Sequence, residues 1–313
     1  MIGTLHSCSD QTPSKEKVNV SNGEAQPKDS FIEYKSKLRP NERLQLTQIY
    51  TDTVEFIGVN YDYDYWFIEA KKNKDTICII IKEEQSDFVR GDLLSIRWKV
   101  DSTWIAGDGD RLELSEWLVD AKRIQPLKLR DKKVRFLWRE KHYLEDLKGE
   151  FNVIVLNEEY IKTISEPEKI ALAFVATFIG NECDWDGQAT DDRSNLNCKI
   201  ISALAMGYQC SNAHLEPLRY WFRNDQSALK ELENCPTTPY GATVQNTFEE
   251  IDIAVQGNTI LLSFKASGIN IREGKSWHWT EKHSFDFQVN ELLWKKKEVS
   301  HIEHKTFKVT GYK

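Results

Sequence analysis

With 313 residues and 40% hydrophobic content, the chain is long enough for two folded domains and apolar enough to build real cores. A formal net charge of −7 and a pI near 5.6 argue against a phosphate-backbone binder, because no long basic stretch offsets the acidity, and nucleic acid is excluded as the expected partner. No apolar run reaches the roughly 18 residues that a spanning helix needs, so a membrane is expected to be met only through a lipid anchor.

The chain opens with Leu5, His6, Ser7 and Cys8, in which a leucine stands three residues before a cysteine and a small residue directly precedes it. This segment resembles a bacterial lipobox, with His6 departing from the usual pattern. The resemblance implies lipidation at Cys8 and an address in the bacterial cell envelope, in the periplasm or at the cell surface, with the cytoplasm as the alternative. Ser9 to Ser30 is a polar tract of Gln, Ser, Lys, Glu, Asn and Pro that buries too little to offset its ordering entropy. Residues 1–30 are therefore predicted to be a disordered tether.

Residues 31–126 read as strands. Leu44, Leu46, Ile49, Val54, Phe56 and Ile57 begin the pattern, and Tyr65 to Ala70 and Thr76 to Ile81 follow across a turn at Lys72 to Asp75. Leu93 to Val100 and Leu112 to Val119 complete it, with turns at Gly91–Asp92 and Gly107 to Asp110. Short strands at this spacing predict an all-β small barrel or sandwich, of the oligonucleotide-fold or small-barrel kind. Within it, Tyr61, Tyr63 and Tyr65 alternate with Asp62 and Asp64 and lead into Trp66; strand geometry would put the tyrosines on one face and the aspartates on the other. Such an aromatic row can stack on a sugar ring or a protein surface, which makes these tyrosines candidate partner-binding residues. Cys78, in an apolar strand, is expected to be a small buried hydrophobe.

The basic joint Pro126 to Lys133 marks a boundary, and residues 127–313 form the second domain. Val134 to Leu147 has the apolar spacing of an amphipathic helix, and Phe151 to Leu156 that of an extended piece. Ser165, Pro167 and Glu168 then spell a helix start, and Ile170, Phe174, Val175, Phe178 and Ile179 recur at helical spacing up to Gly180. A second apolar helix is expected from Asn195 as its cap, with Ile200, Ile201, Leu204 and Ala205 buried and Gly207 at its close. Between the two lies Glu182 to Arg193, with acidic side chains at positions 1, 3 and 5 and Gly187 at 6. That register resembles an EF-hand calcium loop and makes Glu182, Asp184 and Asp186 candidate calcium ligands, although Arg193 stands where the pattern has a bidentate Glu. The competing expectation is no cofactor at all and an acidic, partner-binding loop built of Glu182, Asp184, Trp185, Asp186, Asp191 and Asp192.

Four cysteines of this half, Cys183, Cys198, Cys210 and Cys235, lack a C-x-x-C pair and so make a poor zinc site. They are expected to join as Cys183 with Cys198 and Cys210 with Cys235, which fits an oxidising compartment. His214 to Phe222 and Gln226 to Leu232 read as helical turns. From Thr247 the pattern is strand again, with a two-residue turn at Gly257–Asn258, another turn at Glu273 to Lys275, and Trp277 and Trp279 leading toward Phe285, Phe287 and Val289. The fold class is therefore α+β: an N-terminal all-β small barrel or sandwich, then helices packed on an antiparallel sheet that looks cystatin-like or cone-like in element order.

The nucleophile elbow, phosphate loop, dinucleotide fingerprint and zincin helix are all missing from the sequence. The expectation is a non-enzymatic, lipoprotein-like binding protein of the envelope with a protein or glycan partner. One alternative is an immunity-type inhibitor that uses the acidic loop 182–192. The other is a small-molecule enzyme with a pocket between the helices and the C-terminal sheet, where His278 and His283 near Glu281 could serve as an acid–base pair.

Overall fold

Burial that alternates residue by residue shapes the first half of the chain. The computed structural model describes residues 31–32, 34–85, 87–105, 108–179, 183–185, 196–235 and 244–307. Two compact units divide between Leu127 and Lys128. In the first, a short pair β1 (Phe31–Ile32) and β2 (Leu44–Gln45) precedes β3 (Ile49–Asn60), β4 (Trp66–Lys72), β5 (Asp75–Ile81), β6 (Leu93–Ile105) and β7 (Asp108–Gln125). The last five close a barrel in the order β3-β4-β5-β7-β6. All of its ladders are antiparallel except one parallel bridge, Ile80 to Trp117, which closes the ring.

The interior follows from the two-residue period of a strand. Ile68 and Ala70, Ile77 and Ile79, and Leu94, Ile96, Trp98 and Val100 turn inward and are buried. Bulges between Phe56 and Gly58 in β3 and at several points between β6 and β7 bend these long strands enough to close. Cys78 lies between two inward isoleucines and is only half buried, and it is disulfide-bonded rather than the small core hydrophobe expected of it. At the interior's polar edge, Asp52 accepts hydrogen bonds from Trp98 Nε1 (2.8 Å), Arg39 Nε (2.9 Å) and Lys72 Nζ (2.6 Å). Burial alone would raise its pKa, but the bonds from Lys72, Trp98 and Arg39 outweigh burial and hold the carboxyl below the usual range.

The second unit contains β8 (Lys132–Leu144), β9 (Gly149–Leu156), α1 (Glu158–Thr163), α2 (Glu166–Ala176) and a short ribbon of β10 (Cys183–Trp185) and β11 (Leu196–Cys198). It continues with α3 (Lys199–Ala203), α4 (Asn212–Trp221), α5 (Gln226–Glu233), β12 (Val244–Gln256), β13 (Thr259–Asn270), β14 (Lys275–Gln288), β15 (Glu291–Val299) and β16 (Glu303–Thr306). The sheet order is β15-β14-β13-β12-β8-β9, with β16 paired to β14. Helices on an antiparallel sheet are what the α+β expectation describes, although strand is much the larger share. Phe174 of α2 anchors the layer, with ring centroids 4.8 Å from Phe222, 5.3 Å from Trp294 and 5.7 Å from Phe285.

Helix α2 starts as its sequence dictates, with a capping box between Ser165 and Glu168. Glu168 is buried, and it also accepts from Tyr160 Oη (2.7 Å) and pairs with Lys132 (2.8 Å), so one carboxylate ties the helix to β8 and α1.

Three local expectations are corrected. Val134 to Leu147 is not a helix: β8 pairs with both β12 and β9. A register shift near Ile251/Asp252 buries consecutive Phe136 and Leu137, and that doublet breaks the two-residue period and imitates a helical stripe. The helix expected from Asn195 starts instead at Lys199 with Cys198 as its N-cap, because Leu196–Cys198 is used as a strand. The turn expected at Gly107 to Asp110 has its last residues in β7, while Gly107 lies outside the described residues.

Candidate functional site

The connection from β3 to β4 gathers the most exposed aromatic surface of the barrel unit into one short segment. Tyr61 to Tyr65 is a chain of bends rather than a strand, so the expected sorting of tyrosines and aspartates onto opposite faces does not occur. Asn60 explains the break: its side-chain oxygen accepts from Asp62 N (2.9 Å), a local turn that competes with the ladder. Tyr61, Tyr63 and Trp66 are 40%, 46% and 41% exposed, whereas Tyr65 is half buried. Edge-to-face contacts fix the cluster, Tyr61 on Trp66 (5.2 Å), Tyr63 on Phe67 (6.3 Å) and Tyr65 on Trp117 (6.0 Å).

A second loop joins this one. Trp66 pairs with Ile81 across the β4–β5 hairpin, so whatever precedes Trp66 and whatever follows Ile81 leave the barrel together. The Gln85 amide donates to Tyr61 Oη (3.2 Å), which brings the Glu83–Glu84 pair to the edge of the aromatic cluster. Asp62, Asp64, Glu83 and Glu84 are all exposed. Lys82, the first residue of this loop, lies over the Trp117 ring at 5.4 Å. Sequence reading singled out the tyrosines but not Glu83 and Glu84. The signal was present in the Lys72 to Asp75 turn, which fixes the hairpin register and hence which residues face each other beyond its end.

The second unit holds the other concentration of polar and aromatic groups, on β14. Glu281 accepts from Trp279 Nε1 (2.9 Å), meets His283 Nε2 at 3.0 Å and pairs with Lys297 at 3.2 Å. Its burial would raise the carboxyl pKa, but the His283 bond, the Lys297 charge and the Trp279 bond together lower it. The imidazole is nearly parallel to the rings of Phe264, Phe285 and Trp294, 5.8 to 6.2 Å away, and is 5% exposed. A general base must reach a substrate proton, and rings pack around this one. His278 is exposed on the same strand, and its cross-strand neighbour is Glu303, not Glu281. A surface depression of about 790 Å³ lined by Ser300, His301, Ile302, Glu303, His304 and Lys305 includes neither Glu281 nor His283.

The remaining expected positions divide cleanly. Cys210 and Cys235 form a disulfide with Cα atoms 6.0 Å apart. Cys198 is also disulfide-bonded, and the β10–β11 register sets it directly opposite Cys183. Asp184 and Trp185 lie in β10, across from Asn197 and Leu196. Glu182, Asp186, Asp191, Asp192 and Cys8 lie outside the described residues. Among the described residues, no three His, Cys, Asp or Glu side chains come together in a metal-sized group, and no helix is long and apolar enough to cross a membrane.

Beside the disulfide, His214 is fully buried, accepts from the Cys210 amide through Nδ1 (3.0 Å) and faces Thr177 Oγ1 through Nε2 (3.3 Å). Burial pushes its pKa down to about 4, and a neutral ring is what the Cys210 amide needs as an acceptor. No protein-family model matches the chain, and no curated protein or solved structure matches it either.

Proposed function

We propose that the chain is a non-enzymatic binding protein whose partner, a protein or a glycan, seats on the aromatic end of the barrel. One observation carries the reading: Tyr61, Tyr63 and Trp66 stay exposed, with Tyr61 and Trp66 braced edge to face, although the barrel interior beneath them is fully packed. Large rigid aromatics held in the open cost little entropy to dock, and they suit sugar rings and protein surfaces alike. The loop between the first two strands is also one of those through which oligonucleotide-fold barrels take their ligands.

The same reading puts the protein in the bacterial cell envelope, with 31–126 as the binding barrel and 127–313 as an α+β domain of cystatin-like or cone-like layout. Oxidised Cys78, Cys198, Cys210 and Cys235 support an oxidising compartment. The decisive experiment is capture of partners by the full chain and by a Tyr61→Ala/Trp66→Ala variant whose circular dichroism is unchanged. At least a tenfold loss of the captured protein or glycan is expected, and equal capture by both would overturn the assignment of the site.

A further inference from the structure

The protein repeatedly closes an aromatic ring and a carboxylate with one of its own cations. Arg39 lies over Tyr50 (5.0 Å) and pairs with Asp52 (2.9 Å); Arg123 lies over Phe88 (5.7 Å) and pairs with Asp92 (2.6 Å). Lys132 lies over Tyr160 (5.2 Å) and pairs with Glu168 (2.8 Å); Arg223 lies over Tyr220 (4.7 Å) and pairs with Glu291 (3.8 Å). In each, the ring's negative face and the carboxylate draw the same positive group.

The barrel end has the first two components without the third. Among the described residues, no cation lies over Tyr61 or Trp66, and none of Asp62, Asp64, Glu83 and Glu84 takes part in an ion pair. Lys82 is turned to Trp117 instead. We propose that the missing component comes from outside: an arginine- or lysine-bearing segment of a partner protein lies across Tyr61 and Trp66 and is held by Asp62, Asp64, Glu83 and Glu84. Arginine suits the site better than lysine, because its planar fork can stack on a ring while binding a carboxylate through two parallel N–H groups. A neutral glycan would use the rings and could donate hydroxyl hydrogen bonds to the four carboxylates but would leave their charge unpaired, and an anionic glycan or a phosphate backbone would be repelled by them.

This inference rests on the aromatic end being the binding site, and the test separates the two. The full chain is titrated calorimetrically with an acetylated, amidated peptide of four Gly-Arg repeats, with the matching Gly-Asn peptide, and with a neutral oligosaccharide, chitotetraose. Three variants are compared: Asp62→Asn/Asp64→Asn/Glu83→Gln/Glu84→Gln, which removes charge from exposed loops and leaves the rings in place; Tyr61→Ala/Trp66→Ala; and Glu158→Gln/Glu159→Gln, which removes exposed charge from α1 as a control for attraction to the net negative chain.

The Gly-Arg peptide should bind the parent and the α1 control equally, lose at least tenfold in affinity with either loop variant, and weaken as salt is added. The Gly-Asn peptide should not bind. No binding by the Gly-Arg peptide, or equal weakening by the α1 control and the loop-charge variant, overturns the proposal. If chitotetraose binds, is lost with Tyr61→Ala/Trp66→Ala and is indifferent to the loop charges, the cationic partner is wrong while the aromatic site stands. If neither the peptide nor the sugar senses Tyr61→Ala/Trp66→Ala, both readings fall.

Discussion

Glu281 on β14 and the four carboxylates at the barrel end begin from the same materials, acidic groups among tyrosine and tryptophan rings, and finish in opposite states. Glu281 is met by Trp279, His283 and Lys297 from its own sheet, and the His283 ring that meets it is itself stacked among aromatic rings. Asp62, Asp64, Glu83 and Glu84 stand in water beside exposed rings. The contrast teaches that residue type does not separate a structural cluster from a proposed recognition surface. What separates them is whether the fold itself supplies the compensating charge, because a buried carboxylate must find its donors inside while an exposed one can wait for them.

The contrast can be broken most severely from the packed side. Phe174→Ala should cost about 4 kcal/mol, as a buried aromatic touching Phe222, Phe285 and Trp294 is replaced by a cavity, and a urea unfolding midpoint will measure it.

Acid should come next. His214 has a folded-state pKa near 4 against an ordinary 6.5, so the folded form binds fewer protons than the unfolded one as pH falls. Its contribution is whole above about pH 6.5 and is lost as pH drops toward 4, by about 3 kcal/mol at most. Unfolding midpoints across that window should fall less steeply for His214→Gln than for the parent, although the variant starts lower; parallel slopes would contradict the assignment.

Glu281→Gln should cost about 2 kcal/mol, since the amide keeps shape but loses the charge that Lys297 and His283 face. Smallest of all, Asp62→Asn/Asp64→Asn should move stability by no more than about 0.5 kcal/mol, in thermal melts of the same protein. A large loss there would mean that these aspartates hold the barrel together and would remove the basis of the comparison.

Much of the scaffold was legible. The isoleucines of β5 announce an inward row, Gly257–Asn258 announces a two-residue hairpin that joins Gln256 to Thr259, and Ser165 with Glu168 announces a helix start. The failures have local causes. At β8 a bulge hid a strand behind helical spacing, and at Tyr61 the strand preference of tyrosine lost to Asn60, which turned the backbone through its own side chain. Cys78 was misjudged although its neighbours Ile77 and Ile79 are buried, an alternation that already aims the residue between them outward. The site was only half readable for a different reason. Tyr61 and Trp66 are adjacent to their aspartates in sequence, whereas Glu83 and Glu84 join them only once the register set at the Lys72 to Asp75 turn is followed out to the pairing of Trp66 with Ile81.

Gly91, at the turn that ends the loop after β5, is held there by its backbone: its φ is +98°, which opposes alanine, whereas the nearby Leu127 Cδ1 is the end of a side chain that can turn aside.

The parallel bridge between Ile80 and Trp117 has a wider consequence, because it completes the ring of strands. Closure through that one pair sets β7 beside β5 where an open sheet would present a free edge, and so the barrel is better guarded than an open sheet against templated stacking. On the proposed reading, selectivity in this half of the molecule would be written in side chains at the cylinder's mouth, where a substitution can change it without disturbing the wall.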